Sequence, residues 1–183
     1  AKHIAKLRAI IMHSKQIRVI TICIIRKGDT IFVFEDVDKI TNETFYRPLG
    51  GGIEYGEYSY DALEREFLEE INVKLLNLRY IQTLENIFIC DGETGHEIVI
   101  VYEGEFADKT FYNKDVVILT EDNGEKLKAM WMPLADFRAR KFPLYPDGLL
   151  ELLEKEQKMS KEYKLIHIEK PEESAWGIIG GGL

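Results

Sequence analysis

Residues 51–73, GGIEYGEYSYDALEREFLEEINV, decide how this chain is read. Leu63, Phe67 and Ile71 recur every four residues within Tyr58–Ile71, which predicts an amphipathic helix. Ser59 is the expected N-cap, and Asp61 in the first turn suits the positive end of the helix dipole. At ~100° per residue, with Glu66 set at zero, Glu69 falls near ~−60° and Glu70 near ~+40°. Three carboxylates therefore share one arc, while Leu63, Phe67, Tyr60 and Ile71 form an apolar stripe beside it. Such a helix packs on the stripe and displays clustered negative charge next to it. Like charges three and four residues apart repel by a few tenths of a kcal/mol per pair, and a bound cation reverses that sign. An all-oxygen set of a few carboxylates, water and substrate phosphate is the usual arrangement for Mg²⁺ or Mn²⁺. Charge runs on helices are ordinarily solvated faces. Here, however, Gly50, Gly51 and Gly52 precede the helix, permit close backbone approach, and stand next to Arg47, a candidate phosphate contact.

The spacing of these residues resembles the Nudix box, G-x5-E-x7-R-E-U-x-E-E-x-G-U with U an apolar residue. Gly51, Glu57, Arg65, Glu66, Glu69 and Glu70 fill the glycine and charged positions, and Phe67 and Val73 fill apolar ones. Asn72 stands where the last glycine is expected; it follows the helix end, where a left-handed residue is common and Asn is the usual substitute for glycine. The resemblance implies an α+β fold, an α-β-α sandwich with a mixed sheet, spanning residues 17–158. It also implies that Glu66, Glu69 and Glu70, helped by the Gly51 carbonyl, bind one or more Mg²⁺ ions. A metal held there would act as Lewis acid and source of a hydroxide-like nucleophile on a diphosphate. Glu57 and Arg65 are expected to pair and hold the loop against the helix, and Arg47, Gly51 and Gly52 to contact substrate. Glu66, Glu70, Glu121 and Glu125 all remain candidates for the general base.

The implied activity is hydrolysis of a phosphoanhydride in a nucleoside diphosphate linked to another moiety, or in a nucleoside triphosphate. Rival readings are a non-catalytic nucleotide-sensing module, which would be expected to lose box carboxylates, an isomerase on the same scaffold, and an RNA-end pyrophosphohydrolase. Tyr46, Phe88 and Tyr102 are candidates to stack on a base, although aromatic residues in strands are more often packing residues. His96 is a further candidate ligand contact.

Outward from the box, Arg18–Ile25 and Thr30–Phe34 read as a hairpin about Lys27-Gly28-Asp29, and Thr44–Leu49 as a short extended segment closed by the glycines. Leu78–Cys90 and Glu97–Phe106 are predicted strands joined by a loop over Asp91–His96. Phe111–Thr120 is a weaker strand, Leu127–Met132 a strand, and Pro133–Phe137 and Pro146–Lys158 predict helices. Residues 1–16 read as a basic helical extension with Ile4, Leu7 and Ile11 on one stripe, and residues 159–183 as a glycine-rich tail.

The chain of 183 residues, 45% hydrophobic and 31% charged, has the composition of a globular protein. Its net charge of −8 argues against a nucleic-acid coat or an anionic membrane surface as partner. The charge is uneven: seven basic residues precede the first acid, Asp29, leaving 17 basic against 32 acidic residues in the remainder. Cys23 and Cys90 lie in apolar strands without metal-ligand spacing, which favours a structural role and a cytoplasmic setting. No apolar run approaches the roughly 20 residues of a membrane span. A small-molecule nucleotide-like partner and a monomer or homodimer complete the expectation.

Overall fold

The computed structural model describes residues 16–120 and 126–159. The helix expected in residues 1–16, save its last residue, together with Glu121, Glu125 and the tail from residue 160, therefore lies outside the described residues. The chain divides into two compact units, residues 1–151 and 152–183.

Strands β1 (Arg18–Lys27) and β2 (Thr30–Val37) turn at Gly28 with φ 59°. They pair only through Arg26↔Ile31 and Lys27↔Thr30 and then part company. Beyond that point β1 pairs in parallel with β6 (Glu93–Phe106) and antiparallel with β4 (Gly50–Gly52). On the other branch, β2 pairs with β3 (Thr44–Arg47) and β8 (Lys126–Pro133), and β8 with β7 (Val116–Thr120). Strand β5 (Leu75–Cys90) closes the far edge against β6. The sheet is mixed, in the order β5-β6-β1-β2-β8-β7.

The apolar run of β1 is buried on both faces, as expected of a strand inside a sandwich. Cys23 and Ile25 join Leu63 and Phe67 of helix α1 (Ser59–Ile71) in one core cluster, while Ile20, Ile22 and Ile24 are buried on the opposite face. Phe106 ties the first cluster together, with Phe32 at 5.2 Å and Phe111 at 5.2 Å between ring centroids. Each such side chain taken fully out of water contributes about 1.5–3 kcal/mol. Helix α2 (Leu134–Arg138) sets Phe137 against Tyr46 of β3, at 5.9 Å. Helix α3 runs from Leu149 to Met159. The architecture is the α+β sandwich expected.

Several local readings change. The three glycines form a strand rather than a loop, because the neighbouring backbone of β1 supplies the partners: Ile20↔Gly52, Thr21↔Gly51 and Ile22↔Gly50. The loop expected over Asp91–His96 contracts to a turn at Asp91-Gly92, and β6 resumes at Glu93. Phe111–Thr120 splits into a 3-10 turn (Lys109–Asn113) and β7, since Asp108 accepts the Thr110 N–H at 2.9 Å and caps the turn. Tyr58, with no side-chain cap, occupies the N-cap position in place of Ser59; the Ser59 hydroxyl instead meets the Tyr102 hydroxyl at 2.7 Å. At the other end Asn72 is left-handed, φ 53° and ψ 44°, and its N–H donates to Leu68 O at 3.0 Å.

Candidate active site

Helix α1 does not display its acidic arc to water. Glu66 is completely buried and Glu70 is buried, whereas Glu69 is about half exposed. Glu66 is covered because β4 passes directly over it. A Cβ built on Gly51 would lie 2.5 and 2.6 Å from the two Glu66 oxygens, so only glycine lets backbone and carboxylate meet.

Arg65 organises this corner. Its Nε and Nη2 donate to the two oxygens of Glu57 at 2.8 and 2.9 Å, the bidentate geometry a planar guanidinium favours. Nη2 also donates to Gly52 O at 3.0 Å, and Nη1 to Glu66 at 2.7 Å and Glu69 at 3.4 Å. The hydrogen bond to Glu57 is the largest influence raising the Arg65 pKa above its ordinary value, followed by Glu66. Glu57 in turn accepts the Glu54 N–H at 3.0 Å, closing the turn before the helix. One guanidinium thus joins the loop, β4 and two box carboxylates.

The donor atoms suit a hard cation: Glu66, Glu69, Glu70 and the Gly51 carbonyl are all oxygen ligands, and the missing Cβ at Gly51 leaves the Glu66 carboxylate against the β4 backbone. Arg65 Nη1 bridges Glu66 and Glu69, and the ligand atoms of the three carboxylates do not all lie within 4.8 Å of one another. Among the described residues, the group whose ligand atoms all lie within 4.8 Å of one another is Asp38, Cys90 and Asp91. That group is a clasp between two hairpin tips. Asp38 accepts the N–H of Ile40 at 2.9 Å and of Thr41 at 2.7 Å, and through its other oxygen that of Asp91 at 2.9 Å. Asp91 returns the contact by accepting the Lys39 N–H at 2.7 Å. These donors, Thr41 first, hold the Asp38 carboxyl below its ordinary pKa.

Between the two hairpins lies a cavity of about 270 Å³. The β2–β3 hairpin presents Phe34, Asp36, Phe45 and Arg47 to it, and β5 presents Asn86, Phe88 and Cys90. Gly50 and Gly51 form part of its wall, so the cavity reaches the box. Arg47 is partly buried, with Nη2 3.7 Å from Glu97, a buried carboxylate that Arg18 also contacts at 3.2 Å. Burial lowers the Arg18 pKa, opposed by Glu97. Of these three side chains, Arg47 lines the cavity. Phe88 reaches across β6 where Gly95 leaves room: a Cβ there would stand 2.7 Å from two ring carbons.

The other sequence candidates lie elsewhere. Tyr46 is buried, donates to Glu35 at 2.8 Å and has its phenol pushed up to about 12, by burial first and Glu35 second. Tyr102 packs edge-on against Tyr80 and bonds Ser59, and His96 meets Glu85 across the hairpin at 3.0 Å. None of the three lines the cavity. Phe45, Asn86, Tyr145 and Glu97 were not anticipated; alternation in β3, β5 and β6 marks the faces of Phe45, Asn86 and Glu97, whereas Tyr145 lies outside the strands.

Against known proteins, a model of the Nudix domain family matches residues 15–153. The chain belongs to the Nudix family. Comparison with curated protein sequences gives no significant match. Among solved structures the chain is similar to a Nudix hydrolase from Nitrosomonas europaea, with TM-score 0.55 and 17% identity over 79% of this chain and 90% of that one. It is also similar to a protein described as an ADP compounds hydrolase, with TM-score 0.52 and 16% identity over 78% of this chain and 74% of that one. At such identities these likenesses speak for the Nudix fold. No helix among the described residues is long and apolar enough to cross a membrane.

Proposed function

We propose that this Nudix protein hydrolyses a diphosphate linkage in a nucleoside diphosphate derivative or a nucleoside triphosphate. We further propose that Glu66, Glu69, Glu70 and the Gly51 carbonyl hold Mg²⁺ or Mn²⁺ for that purpose. The observation that carries the reading is that Gly51 belongs to both parts of the site: one side abuts the Glu66 carboxylate, and the residue also lines the cavity. A diphosphate at that point spans the carboxylate corner while the remainder of the molecule occupies the cavity.

When bound, a divalent ion supplies Lewis acidity and a water of lowered pKa. The chain supplies the rest. Arg65 and Glu57 fix the loop so that Gly51 and Gly52 meet the substrate backbone-first, and Arg47 attracts phosphate from the cavity wall. Glu66 or Glu70 takes the proton of the attacking water, with Glu121 and Glu125 as the alternatives.

The test is a panel of nucleoside triphosphates, ADP-ribose, nucleotide sugars, dinucleoside polyphosphates and capped RNA incubated with Mg²⁺, read by release of phosphate or nucleotide. Metal-dependent cleavage of a small-molecule member is expected. Tight binding of one member with cleavage of none would sink the hydrolase reading.

A further inference from the structure

One face of the sheet is apolar beyond the part that α1 covers. Cross-strand partners share a face, so Val19, Ile98 and Glu85 form one row across β1, β6 and β5, and Thr21, Ile100 and Thr83 form the next. Helix α1 lies on this face: Ser59 meets Tyr102, and Gly51, the partner of Thr21, abuts Glu66. Thr21 is accordingly buried. One row farther from the helix the cover ends. Val19 is 45% exposed, and Ile87 and Ile89, on the same face of β5, are 61% and 74% exposed. Ile98 stands beside Val19 and within diagonal reach of Ile87, so these side chains make one patch rather than scattered apolar residues. Asn86 and Phe88 point from the opposite face of the same hairpin into the cavity, and the patch is separate from it.

Strand register brings a candidate cover to the same place. Strand β1 starts at Arg18, opposite Glu97, whereas β6 starts at Glu93, so Glu93–His96 and their partners Ile87–Cys90 overhang the start of β1. The overhang of four residues is about 13 Å long at roughly 3.3 Å per residue. The chain enters β1 beside it, past Ile17, which is itself exposed. Residues 2–14 precede the part of the chain that matches the Nudix family. Their stripe of Ile4, Leu7 and Ile11 would be about 11 Å long in the expected helix, and Lys2, Lys6, Arg8 and Lys15 accompany it without any acid. The patch is flanked by Glu85 and Glu93, both exposed. We propose that residues 2–15 dock on this patch, with the stripe against Val19, Ile98, Ile87 and Ile89 and the basic side chains toward Glu85 and Glu93. A second copy laid face to face there would oppose two surfaces of like sign, whereas the segment brings the opposite sign. Its tether at Arg18 makes the contact intramolecular and keeps the effective concentration high. The docking is independent of the reaction at the box.

Thiol alkylation of full-length Ile87→Cys, resolved by position with mass spectrometry, tests the contact with and without Leu7→Glu/Ile11→Glu. Ile118→Cys, exposed on β7 at the other edge of the sheet, is the control, and Ile89→Cys replaces Ile87→Cys should that variant fail to fold. A patch covered about nine-tenths of the time reacts at about one-tenth of its open rate, so the segment substitutions should speed alkylation at position 87 about tenfold and leave position 118 unchanged. Equal rates at position 87 in the two backgrounds, or acceleration at both positions alike, overturns the inference. Slow alkylation that quickens on dilution, alongside a dimer in sedimentation, gives the face to a second copy and overturns it as well.

Discussion

Gly51→Ala isolates the contact on which the site depends. The added Cβ would start 2.5 Å from the nearer Glu66 oxygen, whereas ordinary contact begins at 3.4 Å, so the carboxylate must retreat by about 0.9 Å. Glu66 has little freedom to do so, being completely buried and tied to Arg65 at 2.7 Å. Overpacking of this kind costs about 1–3 kcal/mol, or a melting temperature lower by about 3–9 °C at about 3 °C per kcal/mol. A displacement near 1 Å in a catalytic group costs about 10²-fold in rate. Turnover should therefore fall about a hundredfold while the protein still folds, measured as kcat over a Mg²⁺ titration beside a thermal melt. Gly50→Ala is the contrasting case: φ is +144° and the Cβ would lie 2.8 Å from the Ile22 backbone, so it should cost the fold itself. Turnover of Gly51→Ala within about threefold of wild type, at unchanged stability, would refute the idea that glycine here serves to admit the Glu66 carboxylate.

Glu69→Gln should lower kcat by orders of magnitude with stability changed by less than about 0.5 kcal/mol, because the side chain is about half exposed; near-normal turnover would remove the metal-ligand role. Asp38 is held below its ordinary pKa of 3.8 by backbone donors, so its contribution to stability is complete above that value and lost as pH falls through the lowered one. The wild-type melting temperature should accordingly fall more steeply than that of Asp38→Asn below about pH 4, and parallel curves would show that the clasp does not depend on the ionised carboxylate. Burial, reinforced by Glu103, raises the Cys23 thiol well above its ordinary pKa, whereas Cys90 lines the cavity. Thiol titration at pH 8 should find Cys90 fast and Cys23 slow, with nucleotide slowing Cys90; equal rates would contradict the assigned burial.

The box helix was legible because its information is local: the four-residue recurrence of Leu63, Phe67 and Ile71 and the left-handed stop at Asn72 need no partner to be recognised. The β4 strand was not, since three glycines have no strand preference and acquire one only from the backbone of β1. Burial of Glu66 was hidden for the same reason, being imposed by a strand the sequence does not announce. Phe88 was legible as a strand aromatic and Tyr102 equally so, yet only Phe88 lines the cavity. What separates them is the face each takes after two hairpins come together, which depends on contacts such as Asp38 with Asp91, 53 residues apart in the chain. Alternation along Phe34, Asp36 and Asp38 carried part of that information, but nothing in β2 names β5 as the opposite wall.

The partial pairing of β1 with β2 has a mechanical consequence. The two branches of the sheet meet at Arg26↔Ile31 and Lys27↔Thr30, and the hairpin tips meet again at Asp38 and Asp91. Between them β4, which follows β3 after Pro48 and Leu49, pairs with β1, so the gap is set by backbone joints rather than by the side chains that fill it. Ligand preference can therefore be retuned by exchanging wall residues such as Phe45 or Asn86 without altering the gap, whereas cutting the outer joint would release the tips alone. Amide hydrogen exchange at Lys39 and Asp91 would report that release directly, through faster exchange at the tips while the amides of β1 stay protected.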